Sequence, residues 1–185
     1  MSHDYERGMV RKNPLDLKIK VELDRGFVVD SDPSRLDLHL VHKWLSTDTY
    51  WAIGRSYSAV EQAAEMSLNF GVYSGDGTQV GYSRLITDGV TIGWLCDVYI
   101  DREYRGKNLG ASLAQAIVDA IEPLSLRRFM LSTSDAHEVY ARVSLAQLPD
   151  PSKLMEFKPR HRKEDPEPEE DNDEARKDRA SAELA

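Results

Sequence analysis

Residues 15–23 read Leu-Asp-Leu-Lys-Ile-Lys-Val-Glu-Leu, apolar and polar side chains in strict alternation, the pattern of a half-buried strand. Residues 26–29 predict a second short strand. Ser31-Asp32-Pro33 is a helix-start signal ahead of Leu36, Leu38, Leu40, Val41, Trp44 and Leu45, and helical spacing returns over about 58–68. Residues 70–73, 79–87 and 91–100, separated by Ser-Gly-Asp-Gly and Asp-Gly turns, predict an antiparallel meander. An amphipathic helix follows over 110–121, stopped by Pro123, then a strand over 127–132, a helix over 135–145 and a last short strand over 154–157. Alternation of strands and helices in this order predicts an α/β or α+β fold, a sheet with helices packed on it.

The ends of the chain depart from this pattern. Residues 1–14 are polar and predict a flexible N-terminus ahead of an ordered domain over 15–157. From residue 158 to residue 185 large apolar side chains all but vanish, so this stretch cannot bury enough surface to offset the entropy of ordering and predicts a charged, disordered tail. With 185 residues and 41% hydrophobic content, the chain has room for one domain with a real core. No stretch reaches the roughly 18 consecutive apolar residues that a bilayer crossing requires, and no secretory apolar segment follows Met1. The single cysteine, Cys96, excludes an intramolecular disulfide or a Cys-cluster zinc site. These features predict a cytoplasmic protein without membrane partners. A net charge of −8 argues against nucleic-acid binding. The tail holds seven Lys or Arg against ten Asp or Glu, so −3 of that charge is its own.

Candidate chemistry centres on the turn Tyr104-Arg105-Gly106-Lys107-Asn108-Leu109-Gly110-Ala111, which joins the run Trp94-Leu95-Cys96-Asp97-Val98-Tyr99-Ile100 to the helix over 110–121. A strand–turn–helix junction presents unpaired N–H groups and the positive end of the helix dipole, and Gly106 and Gly110 let a diphosphate come close to the main chain. Arg105 and Lys107 add charge at the mouth.

In this context the turn resembles the signature [R/Q]-x-x-G-x-[G/A] of the GNAT superfamily of acyltransferases, matched by Arg105-Gly106-Lys107-Asn108-Leu109-Gly110. The later segment Asp135-Ala136-His137-Glu138-Val139-Tyr140-Ala141-Arg142-Val143-Ser144-Leu145 is similar to that family's A-x-x-x-Y-x-x-x-G-F helix. Two departures stand out: Asn108 and Ser144 each occupy a position where the family has glycine. Asn tolerates glycine-like backbone angles, so cofactor binding should survive at 108. The resemblance implies a mixed, mostly antiparallel central sheet flanked by helices. It also implies acetyl-CoA or another acyl-CoA as cosubstrate, no metal, and direct attack of an amine on the thioester. Pantetheine would lie along Cys96, Asp97, Val98, Tyr99 and Ile100, paired with a backbone freed by a bulge or splay. Residues 105–111 would hold the diphosphate.

Direct transfer needs an acid for the leaving thiolate and a base for the amine. Tyr140 stands where the resemblance implies the acid. Asp97, a lone carboxylate in an apolar run, either holds or deprotonates a cationic amine, or pairs with an arginine or faces water. His137 shares a helix face with Tyr140 and is a second candidate base. Asp135 reads as the N-cap of that helix, and Cys96 as a packed side chain with no activating base in sequence. The aromatic and polar segment containing Tyr50, Trp51 and Arg55 corresponds to the acceptor side of the cleft in GNAT-like folds, although Trp51 suits core packing equally. Arg55 would suit a carboxylate and Asp97 an amine. The reading is therefore an N-acetyltransferase acting on a small primary amine, amino-acid-like or polyamine-like, with a homodimer left open. A protein amine as acceptor, a non-catalytic acyl-CoA-binding module and a scaffold whose tail is an interaction arm are the competing readings.

Overall fold

A computed structural model describes residues 16–157. The expected flexible N-terminus and charged tail, together with Leu15, lie outside the described residues. Six strands form one sheet in the order β1 to β6: Lys20–Glu22, Val28–Asp30, Leu68–Tyr73, Gln79–Thr87, Ile92–Ile100 and Arg128–Leu131. The first five pair antiparallel, while β6 runs parallel to β5. The fold is the mixed, mostly antiparallel sheet expected.

Helices cover both faces. Against one face, α1 (Leu38–Asp48) and α2 (Tyr57–Glu65) bury Val41, Trp44, Leu45 and Val60 on Tyr82 and Tyr99. On the other, α3 (Leu109–Ile121) inserts Leu109, Leu113, Ala116 and Ile117 among Val29, Phe70, Val72, Leu85 and Leu95. The short α4, His137–Arg142, adds Val139.

Several boundaries differ from expectation for local reasons. Asp32 does cap, but it caps a 3-10 turn, Pro33–Arg35, and α1 begins only after Asp37, whose carboxylate accepts from Leu40 N at 2.9 Å. The strand expected over 15–23 is ladder-paired only at Lys20–Glu22, since β2 offers three residues to pair with. No strand forms over 154–157. Pro149 and Pro151 remove two donors, a 3-10 turn occupies Pro151–Lys153, and Met155 and Phe157 beyond it are 98% and 84% exposed, with no buried face for a strand to present.

The feature that shapes the site is in β5. Tyr82 faces Tyr99 but Arg84 faces Cys96, so β5 carries one extra residue at this point, and Asp97 takes φ 53°. Such a bulge reverses the alternation. Leu95 and Ile100 consequently share the α3 face, while Asp97 turns to the α1–α2 face with Tyr99. Without the bulge, Asp97 would share the face of Leu95, inside the apolar core.

Candidate functional site

The turn after β5 is a row of unsatisfied donors. A 3-10 turn at Arg102–Tyr104 leads through Gly106 (φ 75°) and Asn108 (φ 61°) into α3. Asn108 holds the left-handed conformation that a glycine would take and makes no side-chain cap. None of the backbone N–H groups of residues 106–111 has a hydrogen-bond partner among the described residues; the first paired one is Ser112, which donates to the Asn108 carbonyl at 3.1 Å. Six consecutive free donors at a helix N-terminus suit an anion. A Cβ added at Gly110 would meet nothing nearer than Ile100 Cγ1 at 4.0 Å, so the approach to the main chain there is open. Arg105 is oriented by donation from Nε to the Ile100 carbonyl at 3.0 Å and by Asp48, which also pairs with Arg102 and accepts from Tyr99 Oη at 2.6 Å. Lys107 Nζ instead lies 4.5 Å from the Tyr104 ring centroid.

Beside this turn the sheet splays. The ladder between β5 and β6 ends at Leu95 opposite Leu131, while β5 continues to Ile100. Among the described residues the β5–β6 ladder does not continue past Leu95, so β5 extends beyond β6 as an added extended chain would need. A cavity of about 450 Å³ occupies the gap, reaching Gly110 and Arg105 at one end and Tyr50, Trp51, Arg55 and Arg84 at the other. Gly106, Lys107 and Asn108 lie beyond it. Where the strands part, the wall is Thr133, Ser134, Asp135 and Tyr140. Ser134 Oγ donates to Tyr50 Oη, joining the loop after β6 to the loop after α1.

The titratable groups have distinct surroundings. Tyr140 is half-buried, and its hydroxyl has no partner among the described residues. Burial, with smaller contributions from the nearby Asp135 and Tyr50, pushes its pKa well up and keeps it protonated. Asp97 is the arginine-paired carboxylate rather than a free one: Oδ2 accepts from Arg84 Nε at 2.6 Å and Arg55 at 2.9 Å, and Oδ1 from Trp51 Nε1 at 3.2 Å. Burial pushes the Cys96 thiol up, against any thiolate role. His137 is exposed and lines a separate groove along β6 with Trp94, Phe129 and Leu148; of the proposed acid and bases, that groove shares only Tyr140 with the cavity. Asp135 does not cap α4. The N-cap is Ala136 and no side chain caps the helix; Thr133 Oγ1 accepts from Ala136 N at 2.9 Å in the preceding loop, and Asp135 accepts only a long bond from Thr133 at 3.4 Å while facing the cavity.

The sequence reading missed Arg84 and misassigned Asp135. A signal for Arg84 existed: it is the one formal charge in Gln79–Thr87, and a hairpin about the Asp88-Gly89 turn places it opposite Cys96 and Asp97. Ser144, the other departure from glycine, sits at φ 64°. It donates to the Ala141 carbonyl at 3.2 Å, while Leu145 N donates to Tyr140 O at 3.0 Å. These are the two bonds of a Schellman termination with serine at the left-handed position. Among the described residues there is no cluster of metal-ligating side chains and no helix long and apolar enough to cross a membrane.

Known proteins share this fold. The family model described as "Acetyltransferase (GNAT) family" matches residues 38–144. A protein of Gibberella zeae named "Putative acetyltransferase FG08082" is 33% identical over 135 residues, covering 63% of this chain and 76% of its own. A crystal structure of a GNAT-family protein from Xanthomonas campestris pv. campestris is 39% identical with a TM-score of 0.67, covering 71% of this chain and 92% of that one. At 17% identity, Rv2747 from Mycobacterium tuberculosis, solved in complex with CoA and NLQ, shares the fold at a TM-score of 0.55 over 65% of this chain and 72% of its own. The match over 38–144, which spans the splayed β5 and the turn into α3, makes this chain a member of the GNAT acetyltransferase family and an acyltransferase.

Proposed function

We propose that the protein transfers an acetyl group from acetyl-CoA to the primary amine of a small molecule. The observation that carries this reading is the continuity of the cavity: it runs from Gly110 and Arg105, along the part of β5 beyond the β6 ladder, to a chamber walled by Tyr50, Trp51, Arg55 and Tyr140. The unpaired donors of residues 106–111 fit a diphosphate and the part of β5 beyond the β6 ladder fits a pantetheine arm, a use in keeping with the CoA complex of Rv2747. The cosubstrate supplies an activated thioester. The protein's part is to orient it, to take a proton from the amine and to hold a donor where negative charge develops on sulfur.

Tyr140, whose burial raises its pKa above the ordinary tyrosine value, is that donor. Of the carboxylates on the wall, Asp97 has its lone pairs engaged by three donors, whereas Asp135 is engaged by one long bond. Asp135, directly or through a water, therefore takes the ammonium proton in preference to Asp97 or to the exposed His137. The hydrogen bond between Tyr50 and Ser134 spans the chamber and favours a small acceptor over a polypeptide. Asn108 and Ser144, the two departures from the family's glycines, keep glycine-like backbone and so lend a binding-only module no support. The unpaired Cys96 suits a reducing compartment, and we place the reaction in the cytoplasm.

The test is thiol release from acetyl-CoA over a panel of small amines, with wild type beside Tyr140→Phe. Amine-dependent release that falls about 10²-fold in the variant supports the reading. Binding of acetyl-CoA without release for any amine would overturn it.

A further inference from the structure

We infer that the acceptor carries an anionic group, a carboxylate or phosphate, close to its amine, and that Arg55 and Arg84 seat that group. The inference rests on the acetyl-transfer reading and narrows its acceptor. Its basis is a charge imbalance at the chamber end of the cavity. Arg55 and Arg84 share one counter-ion there, Asp97, whose side chain is 4% exposed. Two guanidiniums against one carboxylate leave one positive charge over.

All three groups line the cavity, and of them Asp97 is the most deeply buried, its side chain 4% exposed against 24% for Arg55 and 14% for Arg84; Arg84 also donates to Ser67 Oγ at 3.3 Å. These bonds hold the planes of the two groups and consume few of their N–H donors, since a guanidinium carries five. The remaining nitrogens are not sealed in the protein. The fully buried, partnerless side-chain polar atoms among the described residues are Tyr73 Oη and Ser83 Oγ, so the nitrogens of these cavity-lining arginines that make no hydrogen bond, Arg55 Nε and Nη2 and Arg84 Nη2, are accessible. A pair of anchored guanidiniums with free donors is suited to bidentate recognition of a carboxylate or phosphate.

The other charged groups on the wall fit the same assignment. Arg105 is held at the cradle end by Asp48 and the Ile100 carbonyl. Asp135, on the wall beside Tyr140, is the acidic counterpart for an ammonium. An amine with a neighbouring anion thus finds a site of opposite sign for each charge, whereas a polyamine would meet the uncompensated arginine charge.

Two measurements test this. In the first, CoA-loaded protein is titrated with N-acetyl amino acids and with the matching N-acetyl amino-acid amides. In the second, thiol release from acetyl-CoA is compared for amino acids against their amides, for aminoalkyl phosphates against the amino alcohols, and for spermidine. We expect the anionic member of at least one pair type to bind and turn over roughly 10- to 100-fold better, the worth of one or two charge-assisted hydrogen bonds. The pair type shows whether carboxylate or phosphate is the ligand. Arg84→Gln and Arg55→Gln should shrink the preference to about threefold with acetyl-CoA affinity unchanged, and Arg55→Lys should retain part of it. Should either variant fail to fold, the wild-type comparison decides alone. Equal or better turnover of amides, amino alcohols or spermidine would overturn the anionic acceptor while leaving acetyl transfer intact. A preference for anions in binding with no release from any amine would uphold the arginine site and overturn the transfer reading. No preference in either measurement would overturn the arginine site.

Discussion

Asp97, Tyr140 and Asp135 are three titratable residues whose roles diverge because their neighbours do. Asp97 takes a left-handed conformation that Asp tolerates better than most residues, and its carboxylate is locked by two arginines and a tryptophan. Tyr140 and Asp135 line the same cavity with almost no partners. Replacing Asp135 with Asn should lower kcat about 10²-fold while leaving the KM for acetyl-CoA unchanged, as steady-state kinetics would show. Because Tyr140 is pushed up by burial, its hydroxyl keeps its proton beyond the ordinary tyrosine range. The profile of kcat/KM against pH should therefore rise as the amine deprotonates and show no fall attributable to this tyrosine below about pH 10. A descending limb near pH 9 that disappears in Tyr140→Phe would contradict this. Sequence reading located Asp97 and Tyr140 because a lone carboxylate in an apolar strand and a motif tyrosine are both visible in one dimension. It could not see that Asp135 would fall outside the N-cap of α4, where Ala136 stands with no side-chain cap, since loop geometry decides which residue reaches the helix start.

At the scale of elements, the meander from β3 to β5, helix α3 and the turn before it were legible, since alternation, turn residues and helical spacing agreed there. The bulge was expected only through the family resemblance, as a bulge or splay along 96–100, because one extra residue leaves no mark of its own in a run such as Ile92–Ile100, where nearly every side chain is apolar. Expectation failed at 154–157, where apolar side chains find no partner strand, and in α4, which ends at Arg142 instead of running to residue 145. That termination yields a prediction. Ser144 sits exposed at φ 64°, where glycine is free of steric cost, so Ser144→Gly should stabilise the fold by about 1 kcal/mol in denaturant unfolding. Gly71 behaves oppositely. A Cβ there would stand 2.4 Å from Tyr73 Oη, and Tyr73 is 2% exposed with nowhere to move. Gly71→Ala should cost about 1–3 kcal/mol by the same measurement.

Across the whole molecule, tyrosines are enclosed both in the sheet, at Tyr73 and Tyr82, and beside it on α4, at Tyr140. Burial pushes Tyr73 up to about 12 and raises Tyr82 and Tyr140 further. A raised pKa means that the native state keeps a proton the unfolded chain releases. The stability associated with these groups is thus complete below the ordinary tyrosine value near 10 and declines as pH rises from there through the native values. Unfolding free energy measured between pH 9 and 11.5 should fall with a slope approaching roughly 1.4 kcal/mol per pH unit for each tyrosine still protonated. A flat profile would contradict that burial. The central claim, that the turn of residues 105–110 and the part of β5 beyond the β6 ladder together seat an acyl-CoA, is tested most directly by calorimetric titration of acetyl-CoA into wild type and Gly110→Trp. The account predicts saturable binding by wild type, and its loss in a variant that still melts cooperatively, because the added indole fills the approach to the free N–H groups. No binding by wild type, or equal binding by both proteins, would contradict it.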